Sequence, residues 1–184
     1  MPIAVVNTLL GGSFTSRLMD NLREKKGYTY GAYSRFDLRR SGGLFMAYSE
    51  VQTDVTAPAV KEFVKELTAI RSRPTDGEAA RARSYLALSF ASEWEAAEQV
   101  ADKLAEAWVC SLPEGAWSGF APKALAVTAA DMEGTAKKRI DPATSAIVVV
   151  GDRKKVEGPL KALGLGEWKL LSVDDVMGPA PKGE

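Results

Sequence analysis

"GGSFTSRLMDNLREKKGYTYGAYS", residues 11–34, is the stretch on which the reading of this chain turns. Its two glycines stop one helical pattern, and Ser13 reads as the N-cap of a second, "FTSRLMDNLREKK". Phe14, Leu18 and Leu22 keep one face of that helix apolar, and Gly27 ends it. Beyond the glycine, "YTYGAYSRF" is aromatic enough for a strand. The stretch is therefore a helix-glycine-strand junction. It carries Arg23 one turn before the helix ends and Tyr28, Tyr30 and Tyr33 on the far side.

Upstream, "IAVVNTLL" places residues 3, 6, 9 and 10 at helical spacing before Gly11 and Gly12. Downstream, "GLFMAYSEV" is a second strand, joined to the first through "DLRRSGG" as an antiparallel hairpin. A helix follows over "TAPAVKEFVKELTAI", with Pro58 in its first turn. Thr75 with Glu78, Ser92 with Glu95, and Thr128 with Asp131 each have capping spacing and predict three more helices. "SAIVVVG" reads as a buried strand, "GPLKALG" as a short helix and "EWKLLSV" as a last strand. This order predicts an α+β fold, a mostly antiparallel sheet with helices packed on one face. No internal repeat or linker divides the chain. Residues 1–175 are expected to form a single domain and 176–184 a flexible tail.

Composition narrows the function. The 184 residues can bury roughly 70% of their unfolded surface. Lys plus Arg balances Asp plus Glu at 24 each, which argues against nucleic acid or an anionic membrane as partner. No apolar run is long enough to span a bilayer, and the N-terminus lacks the charged region of a signal peptide. Cys110 is the only cysteine and, at the end of a helical pattern, reads as a small buried hydrophobe. The chain has no histidine at all. That removes imidazole bases, Ser-His and Cys-His nucleophile systems and histidine-ligated metals. Asp174 and Asp175 read as a solvated turn. Trp94, Trp108, Trp117 and Trp168 are spread along the chain, which suggests packing rather than a stacking platform. Gly11-Gly12, with no Lys-Ser/Thr after it, is helix punctuation rather than a phosphate cradle.

On spacing alone, Arg23 complements a helix C-terminus, and the alternating tyrosines pack across a strand face. Residues 11–34 as a whole, however, resemble the second-domain signature of the pitrilysin/insulinase family of zinc peptidases, which includes the processing peptidases. "VQTDVTAPAVKEFVKEL", the helix begun by Thr128 and "DPATSAIVVVGD" agree with that family in order and spacing, so the likeness runs from about residue 3 to about 172. The resemblance implies one half of a two-domain peptidase. The first domain of such a unit holds zinc through H-x-x-E-H. The second holds no metal and contributes an arginine and, seven residues later, a tyrosine, which match Arg23 and Tyr30 here.

The resemblance thus implies zinc on a homologous partner domain and none on this chain, with a peptide as substrate. Arg23 and Tyr30 would be auxiliary catalytic residues acting on the partner's site. A guanidinium and a phenol protonated near pH 7 are suitable donors for the negative charge that forms on an attacked peptide carbonyl. Each preorganised donor is typically worth ~3–4 kcal/mol. Tyr28 and Tyr33 stay with packing. Alone, the chain is expected to be inactive. The alternative is a non-catalytic scaffold or peptide-binding subunit, and an independent enzyme is a third and weaker reading. A soluble protein of the bacterial cytoplasm or periplasm is implied. Family members also have a strand before the helix that begins here at Met1-Pro2. The sheet is therefore expected to lack its first strand, and the isolated chain to self-associate.

Overall fold

The computed structural model describes residues 1–39 and 41–178, so the segment 179–184 of the expected tail lies outside the described residues. Helix α1 spans Pro2–Leu10, with proline in the first turn, where its missing N–H costs nothing. Val5, Val6, Leu9 and Leu10 bury one side of it against α3 (Asp76–Ser89) and α6 (Ala129–Arg139). Ile70, Ala79, Ala82, Met132, Ala136 and Ile140 complete that core.

Strands β1 (Ala32–Leu38) and β2 (Gly43–Ser49) form an antiparallel hairpin with Ala32 opposite Ser49 and Leu38 opposite Gly43. Ala32 is buried, and Phe36 packs at a tilt on its cross-strand partner Phe45, with ring centroids 4.8 Å apart, against the core. The opposite face carries Tyr33 and Tyr48 and is open to solvent. The fold is α+β, with helices on one face of an antiparallel sheet.

Helix α2 (Thr56–Ala69) packs on α7 (Arg153–Lys161) through a small second cluster of Ala57, Val156 and Leu160. Two of the three predicted caps are present. The hydroxyls of Thr75 and Thr128 accept from the N–H of Glu78 and Asp131, whose carboxylates reach back to the cap N–H. Ser92 does not cap. Its hydroxyl donates to the Ser89 carbonyl at 2.8 Å, and α4 (Ala97–Val109) begins later, where the Ala96 N–H donates to the Gln99 side chain. Helix α5 (Phe120–Leu125) was not predicted. It arises where Phe120 stacks on Phe90, with centroids 4.0 Å apart, beside Trp94 and Trp117. Two of the four tryptophans thus meet in one cluster despite their separation in sequence. Cys110, just past α4, is half-buried rather than buried.

The two late strands are not formed. Residues 145–151 and 167–172 carry no strand hydrogen bonding among the described residues, and Val173, the last residue of the second expected strand, opens a helix instead. Val148 and Val150 are 84% and 95% exposed. A strand exists only through its partner's N–H and C=O groups, and apolar composition alone cannot supply them. The short helix expected at 158–164 starts earlier, at Arg153, with Asp152 accepting from the Lys154 N–H. Asp174 and Asp175 lie in helix α8 (Val173–Met177), which Ser172 and Asp175 cap, rather than in a free turn.

Candidate functional site

The glycines at 11 and 12 let α1 end against β1. Both of their N–H groups donate to the Asn7 carbonyl, at 2.9 and 2.7 Å, and Ser34 N–H donates to the Gly11 carbonyl at 3.1 Å. The Ser34 hydroxyl donates to Asn7 Oδ1 at 2.9 Å. A Cβ on Gly11 would lie 2.8 Å from the Tyr33 carbonyl carbon and 2.7 Å from Ser34 Oγ. The backbones approach too closely for any side chain there, and this close approach, not a left-handed turn, explains the glycine.

Ser13 is not the N-cap expected of it: its hydroxyl donates back to the Thr8 carbonyl. Residues 13–16 make a turn, and Met19–Lys25 then wind as a π-helix. Leu18, Met19 and Leu22 are buried, and Asn21 spans to α2, donating to Glu62 at 2.9 Å and Glu66 at 2.6 Å. The amide hydrogen bond from Asn21 holds the Glu62 carboxyl below the usual range, with Lys65 and Lys26 adding to it. Arg17 Nε donates to Glu78 Oε1 at 2.8 Å, tying the start of this segment to α3. That guanidinium, helped by Thr75, lowers the Glu78 pKa to about 2. Gly27 closes the segment at φ 64°, where Tyr28 N–H donates to the Leu22 carbonyl at 2.9 Å.

Arg23 and Tyr30 stand on either side of this closing turn. The Arg23 guanidinium lies over the ring of Phe14, 4.5 Å from its centroid, and Nε is 3.5 Å from Glu24 Oε1. Tyr30 is 96% exposed and precedes β1 instead of lying in it, so it does not share a strand face with Tyr28. Tyr28 is packed against the core. Tyr33 folds its ring over Gly31 and pairs with Tyr48, with centroids 5.8 Å apart. No hydrogen bond or cation–π contact joins Arg23 to Tyr30 among the described residues.

Sequence reasoning missed Thr29. Its hydroxyl accepts from Gly31 N–H at 3.0 Å and from Ser49 Oγ at 2.9 Å, and lies 2.6 Å from the Glu50 carbonyl, to which it donates. This knot pins the Tyr28–Gly31 bend to the end of β2, so the backbone beneath Tyr30 is fixed while its phenol is free. A threonine between two tyrosines carries no signal of such a role, because Ser49 and Glu50, which tie it to β2, lie 20 and 21 residues away in sequence.

Among the described residues, no three of the Asp, Glu and Cys side chains cluster as metal ligands, and there is no histidine to add. The described residues do not fit a resident zinc. No helix among these residues is long and apolar enough to cross a membrane.

Residues 1–86 match the family model described as the peptidase M16 inactive domain. This stretch belongs to that family. The match contains the whole Gly11–Ser34 signature, together with Arg23 and Tyr30. Three solved structures are similar to the chain. The peptidase M16 inactive domain from Pseudomonas fluorescens is 25% identical over 76% of this chain and 34% of its own, with a TM-score of 0.67. A protease from Helicobacter pylori is 22% identical over 74% and 33%, with a TM-score of 0.61. A protein assigned as a zinc protease from Bordetella pertussis Tohama I is 21% identical over 76% and 78%, with a TM-score of 0.59. The last two, at their low identity, show likeness of fold alone. The chain spans about a third of the length of the first two. No curated protein matches it significantly.

Proposed function

We propose that this chain is the non-zinc half of a zinc metalloendopeptidase. It is inactive alone and presents Arg23 and Tyr30 to the metal site of a homologous partner domain. The observation that carries this reading is the state of those two side chains. They flank one rigid turn inside the M16 inactive-domain match, and neither is spent on the fold. Tyr30 is 96% exposed on a backbone locked by Thr29, and among the described residues Arg23 has only the exposed Glu24 within ion-pair distance.

The metal is assigned to the partner, since the chain has no histidine and no metal-ligand cluster is present among the described residues. Its own residues bind and orient. As a peptide carbonyl is attacked, charge grows on its oxygen, and the Arg23 N–H groups and the Tyr30 O–H are donors for that charge. Neither needs to gain or lose a proton to act, consistent with a half-site built without histidine.

The test is a mixing assay with a quenched peptide library, using this chain and the H-x-x-E-H domain encoded with or beside it. Cleavage should require both components. Arg23→Ala or Tyr30→Phe should lower turnover at least about ten-fold, as expected for losing an oxyanion donor. Association without cleavage would instead support the scaffold reading. Full turnover in both variants would remove Arg23 and Tyr30 from the chemistry.

A further inference from the structure

Phe14 stands at odds with its surroundings. It belongs to the apolar face expected of Phe14, Leu18 and Leu22, yet the two leucines are fully buried and Phe14 is 60% exposed. A single exposed apolar residue needs no explanation. What sets this one apart is the Arg23 guanidinium resting on its ring at 4.5 Å, an attractive cation–π distance. The segment that brings Arg23 there is the π-helix Met19–Lys25, whose wide winding extends to Lys26 N–H donating to Asn21 carbonyl at 3.0 Å. One extra residue per turn changes the direction in which Arg23 leaves the axis. Such turns concentrate at functional sites.

We infer that Phe14 is a positioning residue for Arg23: its ring is a platform that fixes the guanidinium while leaving the donors available. The inference rests on the peptidase reading above. A carboxylate partner would occupy the N–H fork and offset its charge, whereas an aromatic face holds the cation and leaves the N–H groups at the edge of the plane. Glu24 does not take that place: the contact is a 3.5 Å approach to Nε, and the carboxylate is itself exposed. An arginine already held loses less side-chain freedom when it engages the reacting carbonyl, so the benefit falls on the transition state.

Two variants separate platform from bulk. Phe14→Leu keeps an apolar side chain and removes the π-face; Phe14→Trp keeps the face. In the assembled peptidase, Phe14→Leu should lower kcat by about two- to five-fold, the range of an exposed cation–π contact, with KM little changed, and Phe14→Trp should restore it. On the full chain alone, nitrogen-edited NMR of the arginine Nε–H should show Arg23 shifted upfield by the ring current. That shift should persist in Phe14→Trp and vanish in Phe14→Leu, with the backbone signals of residues 16–28 unmoved. An Arg23 signal equal in wild type and Phe14→Leu overturns the platform, as does equal loss of kcat in both variants. Arg23→Ala, run alongside, separates the two ideas. If it is inert, the catalytic assignment of Arg23 falls and the positioning role falls with it. If it is damaging while Phe14→Leu is not, only the role of Phe14 falls.

Discussion

Gly11 shows how much a single residue can carry in this fold. It is not in the left-handed region, yet no side chain fits, because β1 passes directly against it. Gly11→Ala is expected to destabilise by about 1–3 kcal/mol, the usual penalty of forcing an extra carbon into a packed contact. Gly134 lies in the middle of α6 with nothing within 4 Å of a built Cβ, so Gly134→Ala should stabilise by about 0.5–1 kcal/mol through helix propensity. Denaturant midpoints should move in opposite directions; a common direction would mean that the close approach is misread. At this scale the candidate site was half legible. Arg23 and Tyr30 could be singled out because their spacing accompanies a recognisable motif. Phe14 and Thr29 could not, since a ring under a guanidinium and a hydroxyl reaching to β2 are properties of the folded chain.

At the scale of elements, the π-helix that carries Arg23 is tied to α3 by Arg17 and Glu78, which are 17% and 19% exposed. The carboxyl of Glu78 titrates at about 2 when folded, against its ordinary value of 4.5, chiefly because of Arg17. Its folded pKa is depressed, so its contribution to stability is full above about pH 4.5 and is lost as the pH falls toward 2. Arg17→Ala should cost about 1.5–3 kcal/mol near neutrality, as for a hydrogen bond to a charged group. The gap between variant and wild type should close in acid. Urea midpoints that stay parallel down to pH 2.5 would contradict this. The elements that could be read from sequence were those whose causes are local. The caps of α3 and α6 depend on residues three apart, and the hairpin on alternation around a glycine-bearing turn. The π-winding, α5 and the fate of residues 145–151 depend on partners far along the chain. The same apolar run serves equally as a strand or as an unpaired extension, and composition does not distinguish them.

Across the whole molecule, the described sheet is small for the number of helices beside it, and the runs 145–151 and 167–172 lie unpaired. Ile147, Val148, Val150, Leu170 and Leu171 are all about half exposed or more. Backbone left unpaired in this state invites pairing with another copy. The isolated chain is expected to associate as its concentration rises, and Val148→Lys with Val150→Lys should return it to a monomer. Sedimentation velocity decides the matter: a single monomeric boundary at every concentration would refute the expectation. The gathering of Trp94 and Trp117 around Phe90 has a separate, optical consequence. All five tyrosines fall within residues 1–86 and all four tryptophans beyond them. Light absorbed by indole therefore reports on the later half of the chain alone, with the packed pair half-buried and Trp108, 84% exposed, open to quenchers. Tyrosine signals report on the M16-matched half. The molecule is labelled in two colours by its own composition, so melting of one half can be watched apart from the other without attaching a dye.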